Sequence, residues 1–514
     1  MSQFQQYLQD FKEFGVVKEV YHPMIVVEGL PGVKPREIVV FENGMRGEVL
    51  EMDGDLVRVQ SFSRFPIQVG LRVARTQRQL FIPVGEHVLG KMLNPLGEVI
   101  LSISKQNLAD TKQTEVSKAE LLLQKQQLES KGREIDIPPL SIAHRQEITQ
   151  QFVTGVAMVD VLLPLGQGQR ELVVGDRKTG KSSFLKSVIK SHVRQGGIAI
   201  YAAVGKRSIE IEGMRDFIIQ QKLYDQVVMV VTTSQDSPSM IHIAPFAAMT
   251  LAEYFRDQGR SVVVVLDDLT THAKYYREVS LLAKRFPGRD SYPGDVFYTH
   301  ARLLERAGNF VIDGKRAAIT CLPVAETTEN DLTDYIVSNL IGITDGHILF
   351  DHTEFIKGRR PAINPMLSVT RVGKQTQTPL EQDLTQQLTL FISRYLRSIT
   401  YSHFGSELSA EVRKLLHLGQ LVYQFFTQQP QQVYAKQVQV LLLAVLFAEV
   451  YPEIDGKQIE KCKRQYQRMF ADQNAEIIKL YQQLTEGVKT WREFLDKVAQ
   501  QTEAIIKLCP HANK

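Results

Sequence analysis

The stretch Arg170–Phe184, RELVVGDRKTGKSSF, constrains this chain more than any other. A short apolar run, Glu171–Val174, enters a loop bounded by Gly175 and Gly180, and a helical pattern over Ser183–Arg194 leaves it. The loop fits G-x-x-x-x-G-K-[ST], with Asp176, Arg177, Lys178 and Thr179 between the glycines. Glycine permits positive φ and close backbone approach, so the loop's amides can wrap a polyphosphate. The following helix aims its positive dipole end at the same anion. Lys181 is expected to reach the β/γ-phosphates, and the Ser182 hydroxyl to ligate Mg²⁺, with Ser183 beside it. The bare pattern also turns up in ordinary serine- and lysine-bearing loops. A strand before it and a helix after it turn the match into an expected nucleoside triphosphate site.

Composition narrows the rest. The chain has 514 residues, and about 100–200 residues per domain implies some three domains. Lys and Arg number 61 against 57 acidic residues, so charge requires neither a nucleic-acid nor a membrane partner. Cys321, Cys462 and Cys509 lack metal-ligand spacing and suit buried thiols in a reducing compartment. The opening MSQFQQYLQDFKEFG has no apolar signal core, and the longest apolar stretch, around Val440–Phe447, is too short to span a bilayer. The expectation is a soluble, cytoplasmic chain that meets a membrane only through partners.

Residues 15–97 read as short strands broken by turns such as Glu42-Asn43-Gly44 and Asp53-Gly54, the pattern of a small barrel or sandwich. Residues 103–135, rich in Lys, Gln and Glu, interrupt that pattern as an exposed helical excursion or linker. From about 150 to 375, apolar runs (ELVVG, GIAIYAAVG, QVVMVVTT, SVVVVLDD, AAITCLPVA, HILFD) alternate with helical stretches, as in a parallel sheet covered on both faces. Beyond 378 the periodicity is helical throughout and ends in one long final helix, which suggests a bundle. The expected domains are a barrel at 1–97, a linker at 98–144, a P-loop α/β domain at 145–377 and a helical domain at 378–514.

SVVVVLDDLT (261–270) has the form of a strand that delivers a carboxylate to the sheet's C-terminal edge. Ligands sit at that edge in open parallel sheets, so Asp267 is expected to help hold Mg²⁺, with Asp268 the lesser candidate. The competing reading is a surface turn carrying two acids. Hydrolysis further needs a group to orient or deprotonate water, worth about 10²–10⁴-fold. That group is expected just after the neighbouring strand Ile198–Val204, where the chain reads Gly205-Lys206-Arg207-Ser208. Lys206 cannot accept a proton near neutrality unless strongly perturbed, and Glu210 and Glu212 serve only if the loop folds back. The combination suggests a site that holds nucleotide without turning it over quickly.

Longer runs carry a resemblance. PVGEHVLGKMLNPLGE (83–98), RQEITQQFVTGVAMVDVLLPLGQGQRELVVGDRKTGKSS (145–183), PGRDSYPGDVFYTHARLLERAG (287–308), SNLIGITDGHILFD, KGRRPAINPMLSVTRVG and FGSELSAEVRKLL together resemble the alpha subunits of F-type ATP synthases over nearly the whole chain. The resemblance implies an N-terminal β-barrel, a central RecA-like α/β domain with a mostly parallel sheet, and a C-terminal helical bundle. It also implies ATP or ADP with Mg²⁺ at a site that does not turn over. The partners it implies are beta-type catalytic subunits in an alternating alpha3beta3 ring, a gamma-type central stalk and a peripheral stalk, with no direct nucleic acid. Arg371, in Ser368-Val369-Thr370-Arg371-Val372-Gly373, corresponds to the arginine finger lent to the neighbouring catalytic site. The bland alternative is an arginine capping a strand end by a salt bridge. Arg360 and Pro361 correspond to residues near the adenine, Gln428 or its neighbour Gln429 to the base edge, and Arg177 to a residue beside the phosphates.

The chain departs from that pattern in places. Lys178 stands where Gln is usual and Ser182 where Thr is, while Lys206-Arg207-Ser208 is one residue shorter than the usual Gln-Lys-Arg-Ser. Gly342 replaces a common serine, the 103–135 excursion is longer than usual, and the short N-terminus leaves peripheral-stalk docking open. Two other classes compete. A self-sufficient, secretion-type hexameric ATPase requires a glutamate at Lys206. A Rho-like translocase requires aromatics interleaved with basic residues on the barrel. Tyr21, Phe41, Phe62, Phe65 and Phe81 are too few and scattered, and read as core.

Overall fold

A computed structural model describes residues 2–104, 132–402, 409–451 and 454–509, so most of the 103–135 excursion and part of FGSELSAEVRKLL lie outside the described residues. The chain divides into two compact units. The first comprises Met1–Gln146, Gly196–Glu326 and Leu332–Thr344, and the second Glu147–Gln195, Thr327–Asp331 and Asp345–Lys514.

The first unit opens with the helix Gln3–Phe11, started by a capping box in which Ser2 and Gln5 exchange side-chain and backbone hydrogen bonds. Six antiparallel strands then close into a barrel: Phe14–Tyr21, Met24–Gly29, Leu56–Ser61, Arg46–Asp53, Ile38–Phe41 and Arg72–Arg75. Alternation aims the inner positions at one core. Val57 and Val59 are buried while Leu56 and Arg58 keep solvent access, and Val17, Val27, Val39, Phe41 and Val73 are among the residues that share that core. Of the barrel-region aromatics, Phe41 and Phe62 are core as expected. Tyr21, Phe65 and Phe81 are instead exposed, at 54%, 66% and 39%.

After the barrel the chain joins a sheet. Val227–Thr233, Ile198–Lys206, Val262–Asp267 and Lys315–Glu326 lie parallel in that order, and Lys91–Leu93 pairs in parallel beside Val227–Thr233. Val262, Val263, Val264, Val265 and Leu266 are fully buried, which accounts for their unbroken apolar run. The helix Pro238–Asp257 packs across these strands.

In the second unit Glu171–Gly175 runs parallel to Gly346–Phe350, whose other edge pairs antiparallel with Val369–Thr370. Gln151–Phe152 pairs antiparallel with Leu165–Gly166. From Pro379 on, every described element is a helix, around the almost wholly buried helix Lys436–Phe447. The expected long final helix is in fact four: Gly456–Ala471, Ala475–Thr485, Trp491–Gln500 and Thr502–Leu508. Gln473 at φ 51° and Gly487 at φ 71° break the first two, and Asn474 and Thr490 cap the starts of the next ones. Apolar periodicity runs through such breaks, so only the caps reveal them. The cysteines also differ from expectation. Cys462 and Cys509 are joined in a disulfide, and Cys321 alone is a buried thiol.

Candidate functional site

The P-loop is held open by its own backbone chemistry. Gly175 has φ +150°, and a Cβ there would lie 2.2 Å from the carbonyl oxygen of Phe350, so the neighbouring strand admits only glycine. Gly180, at φ +105°, starts the helix Lys181–Arg194 and offers no side-chain oxygen. The first turn therefore receives no side-chain cap from it, and a helix start of that kind suits an anion. Phe184, Leu185, Val188 and Ile189 anchor the helix through its buried face.

Between the glycines the loop is braced from inside. Thr179 Oγ1 donates to the Asp176 carbonyl (2.7 Å), and Lys181 Nζ donates to the carbonyls of Gly175 (2.6 Å) and Asp176 (2.8 Å). The Asp176 carboxylate accepts from Thr327 Oγ1 (2.6 Å) and the Asn330 amide (3.0 Å). Asn330 in turn donates to Asp351 (2.9 Å), which also accepts from Asn364 (2.9 Å) and the Thr353 amide (2.7 Å). Burial opposes the Asp351 charge, but hydrogen bonds led by Asn364 outweigh it and hold the carboxyl below its usual range. Thr327, Asn330 and Asp351 are a support that no sequence motif marks. Arg177, Lys178, Ser182 and Ser183 are exposed at the loop's open side, while Thr179 and Lys181 are buried. An uncapped helix start, an ammonium and an exposed hydroxyl form a donor set that fits a nucleotide's phosphates and its magnesium.

Arg360, Pro361 and Gln428 come together in the same unit. The Gln428 amide N–H donates to the Arg360 carbonyl (2.8 Å). The Gln428 side chain is buried and engaged by backbone: Oε1 accepts from the Ala157 amide (2.7 Å), and Nε2 donates to the Gly155 carbonyl (3.0 Å). Gln429 is exposed. The Arg360 guanidinium lies over the Phe355 ring at 3.6 Å and donates to the Phe355 carbonyl (2.9 Å), and a cis peptide links it to Pro361. Lys190, on the P-loop helix, donates to the Gln431 carbonyl (2.8 Å).

Arg371 follows the edge strand Val369–Thr370. Its amide donates to the Asp345 carbonyl (3.0 Å), and Asp345 is itself clasped by the Arg170 guanidinium at 2.7 and 3.1 Å. Two residues on, Gly373 packs so closely that a Cβ would lie 1.6 Å from the Pro164 carbonyl oxygen. The backbone around Arg371 is thus fixed from both sides. Its side chain is exposed, and among the described residues no hydrogen bond or ion pair holds the guanidinium. The strand-capping salt bridge weighed for it is not made there.

In the first unit Asp267 ends its strand as expected and is buried. Tyr201 donates to its Oδ2 (2.8 Å), and Lys206 pairs with its Oδ1 (2.7 Å). The same ammonium reaches Asp268 (2.9 Å), whose other oxygen caps the helix Leu269–Leu282 at Thr271 (2.6 Å). Burial disfavours the Lys206 charge, yet Asp267 and then Asp268 outweigh it and hold the ammonium above the usual lysine range. Burial raises Asp267 above the ordinary carboxylate range, with Lys206 opposing. Lys206 is therefore a fixed cation. Glu210 and Glu212 sit exposed in the helix Ser208–Gln220, with Glu210 paired to Arg207 (3.1 Å). Among the described residues, no group of three or more His, Cys, Asp or Glu could hold a metal.

Residues 155–370 match the model of the ATP synthase alpha/beta family, nucleotide-binding domain, and residues 377–502 that of the ATP synthase alpha/beta chain, C terminal domain. The chain belongs to the ATP synthase alpha/beta family. It is 35% identical to ATP synthase subunit alpha 2 of Syntrophotalea carbinolica over 84% of this chain and 79% of that one. Against ATP synthase subunit alpha 2 of Syntrophus aciditrophicus the figures are 36% identity, 81% and 76%. ATP synthase subunit alpha of Mycoplasma genitalium is 32% identical over 96% of this chain and 90% of its own. The first matched span contains the P-loop, Asp267, Arg360 and Pro361 and stops one residue short of Arg371, while Gln428 lies in the second. No helix among the described residues is long and apolar enough to cross a membrane.

Proposed function

We propose that this chain is an alpha-type, largely non-catalytic Mg-ATP-binding subunit of an F-type rotary ATP synthase or ATPase. In this reading it alternates with beta-type catalytic subunits in a hexamer around a gamma-type stalk, and associates with the membrane through the complex. The P-loop amides and Lys181 hold the β/γ-phosphates, with Arg177 and Lys178 adding positive charge at the loop's open side. Ser182 is our candidate ligand for Mg²⁺. Bound Mg²⁺ would neutralise charge on the phosphate oxygens. Arg360 and Pro361 border the adenine, and Arg371 is the cation lent to the neighbouring catalytic site.

The observation that carries this reading is Lys206, an ammonium clamped at 2.7 Å by Asp267 and at 2.9 Å by Asp268. General-base catalysis needs a free acceptor within reach of water. The first polar side chain after this strand is a cation held by two carboxylates, which favours holding ATP over cleaving it. A test is to incubate the purified chain with Mg-ATP, remove free nucleotide and identify what stays bound. About one ATP per chain, still ATP after many minutes, is the expected result. Bound ADP appearing within seconds would overturn the non-catalytic assignment.

A further inference from the structure

The helix Gly456–Ala471 meets the segment 427–435 at three points about one turn apart. Glu460 Oε1 accepts from the Tyr434 hydroxyl (3.2 Å), Lys463 Nζ donates to the Thr427 carbonyl (2.7 Å), and Gln467 Oε1 accepts from the Ala435 amide (2.6 Å). Positions 460, 463 and 467 follow the i, i+3, i+7 spacing of one helix face. The segment they hold reaches straight to the candidate nucleotide residues. Gln428 donates through its backbone to Arg360 (2.8 Å) and clasps Gly155 and Ala157, and the Gln431 carbonyl receives Lys190 of the P-loop helix (2.8 Å).

Lys463 is the unusual member. It is 1% exposed, its nearest carboxylate is Glu460 at 3.6 Å, and its ammonium lies 5.3 Å from the Phe425 ring centre and 5.6 Å from that of Tyr434. Burial lowers its pKa to about 8, with Glu460 opposing. Removing an ammonium from water costs several kcal/mol, and an apolar residue of the same length would fill the space without that cost. What the lysine adds is one directed hydrogen bond, to the carbonyl immediately before Gln428. Its neighbour Cys462 is tied to Cys509, so the helix bearing it is itself pinned.

We propose that Lys463 is a positioning residue for base recognition: by fixing Thr427 it sets Gln428 and Arg360, so affinity for the adenine portion of ATP depends on it and affinity for the phosphates does not. This rests on the reading of Arg360, Pro361 and Gln428 as base-side residues. The full chain is titrated with Mg-ATP and with magnesium tripolyphosphate, as wild type and as Lys463→Met. ATP affinity is expected to fall at least about tenfold in the variant, and tripolyphosphate affinity to stay within about twofold. Gln467→Met, which removes the Ala435 contact from the same face, is expected to shift ATP the same way and serves if Lys463→Met fails to fold. Equal losses for both ligands, or unchanged ATP affinity, would overturn the proposal. If wild-type protein binds ATP no better than tripolyphosphate, the base-side reading itself fails.

Discussion

Replacing Arg371 with alanine is expected to cut turnover of the assembled complex by about 10³–10⁵-fold while this chain's own nucleotide occupancy stays unchanged. A planar cation placed in advance stabilises charge spreading over a transferring phosphoryl group, and pays no reorganisation cost at that moment. The position has the properties such a role requires. Its backbone is anchored through Asp345 and by the close packing of Gly373 on Pro164, while the side chain is exposed. Lysine at 371 should rescue little, because the fork geometry is lost. Steady-state hydrolysis by the reconstituted complex, paired with a nucleotide count on the isolated variant, decides the matter. Retained turnover would place the finger elsewhere, and lost occupancy would make Arg371 part of this chain's own site.

Lys181→Met is expected to weaken Mg-ATP binding by about a hundredfold, the scale of a charge-assisted phosphate contact of 2–3 kcal/mol. Methionine keeps the apolar stem of a side chain only 8% exposed, so the fold should hold while the charge and its two loop contacts go. The ammonium is already steered to the loop by the Gly175 and Asp176 carbonyls, so its loss removes a preorganised cation rather than a mobile one. Titration calorimetry on both proteins checks this. Affinity within about twofold of wild type would rule out the P-loop as the binding site.

The sequence reveals most where chemistry dictates spacing. Gly175 and Gly180 are readable because positive φ and contact with Phe350 exclude side chains. The valines of 262–265 are readable because burial on both faces leaves no room for polar residues. The barrel strands show through alternation and turn residues. Partners brought together by tertiary structure stay hidden. Nothing in Gly205-Lys206-Arg207 discloses that Lys206 closes on Asp267 and Asp268. Nor does TQQPQQ reveal that Gln428 turns its amide to Gly155 and Ala157. Thr327 and Asn330 brace Asp176 from far along the chain, a contact set only by the fold. Two cysteines 47 residues apart likewise give no sign of pairing until Gly456–Ala471 and Thr502–Leu508 pack together.

The most direct measurement is steady-state ATP hydrolysis by the purified chain, alone and then mixed with a beta-type partner and a gamma-type stalk. A fixed Lys206 cation and an exposed Arg371 lead to negligible turnover alone and strong turnover in the mixture, lost again with Arg371→Ala. Comparable turnover by the chain alone would contradict the non-catalytic assignment. It would mean that Glu210, Glu212 or another group activates water, and that this chain is itself a motor.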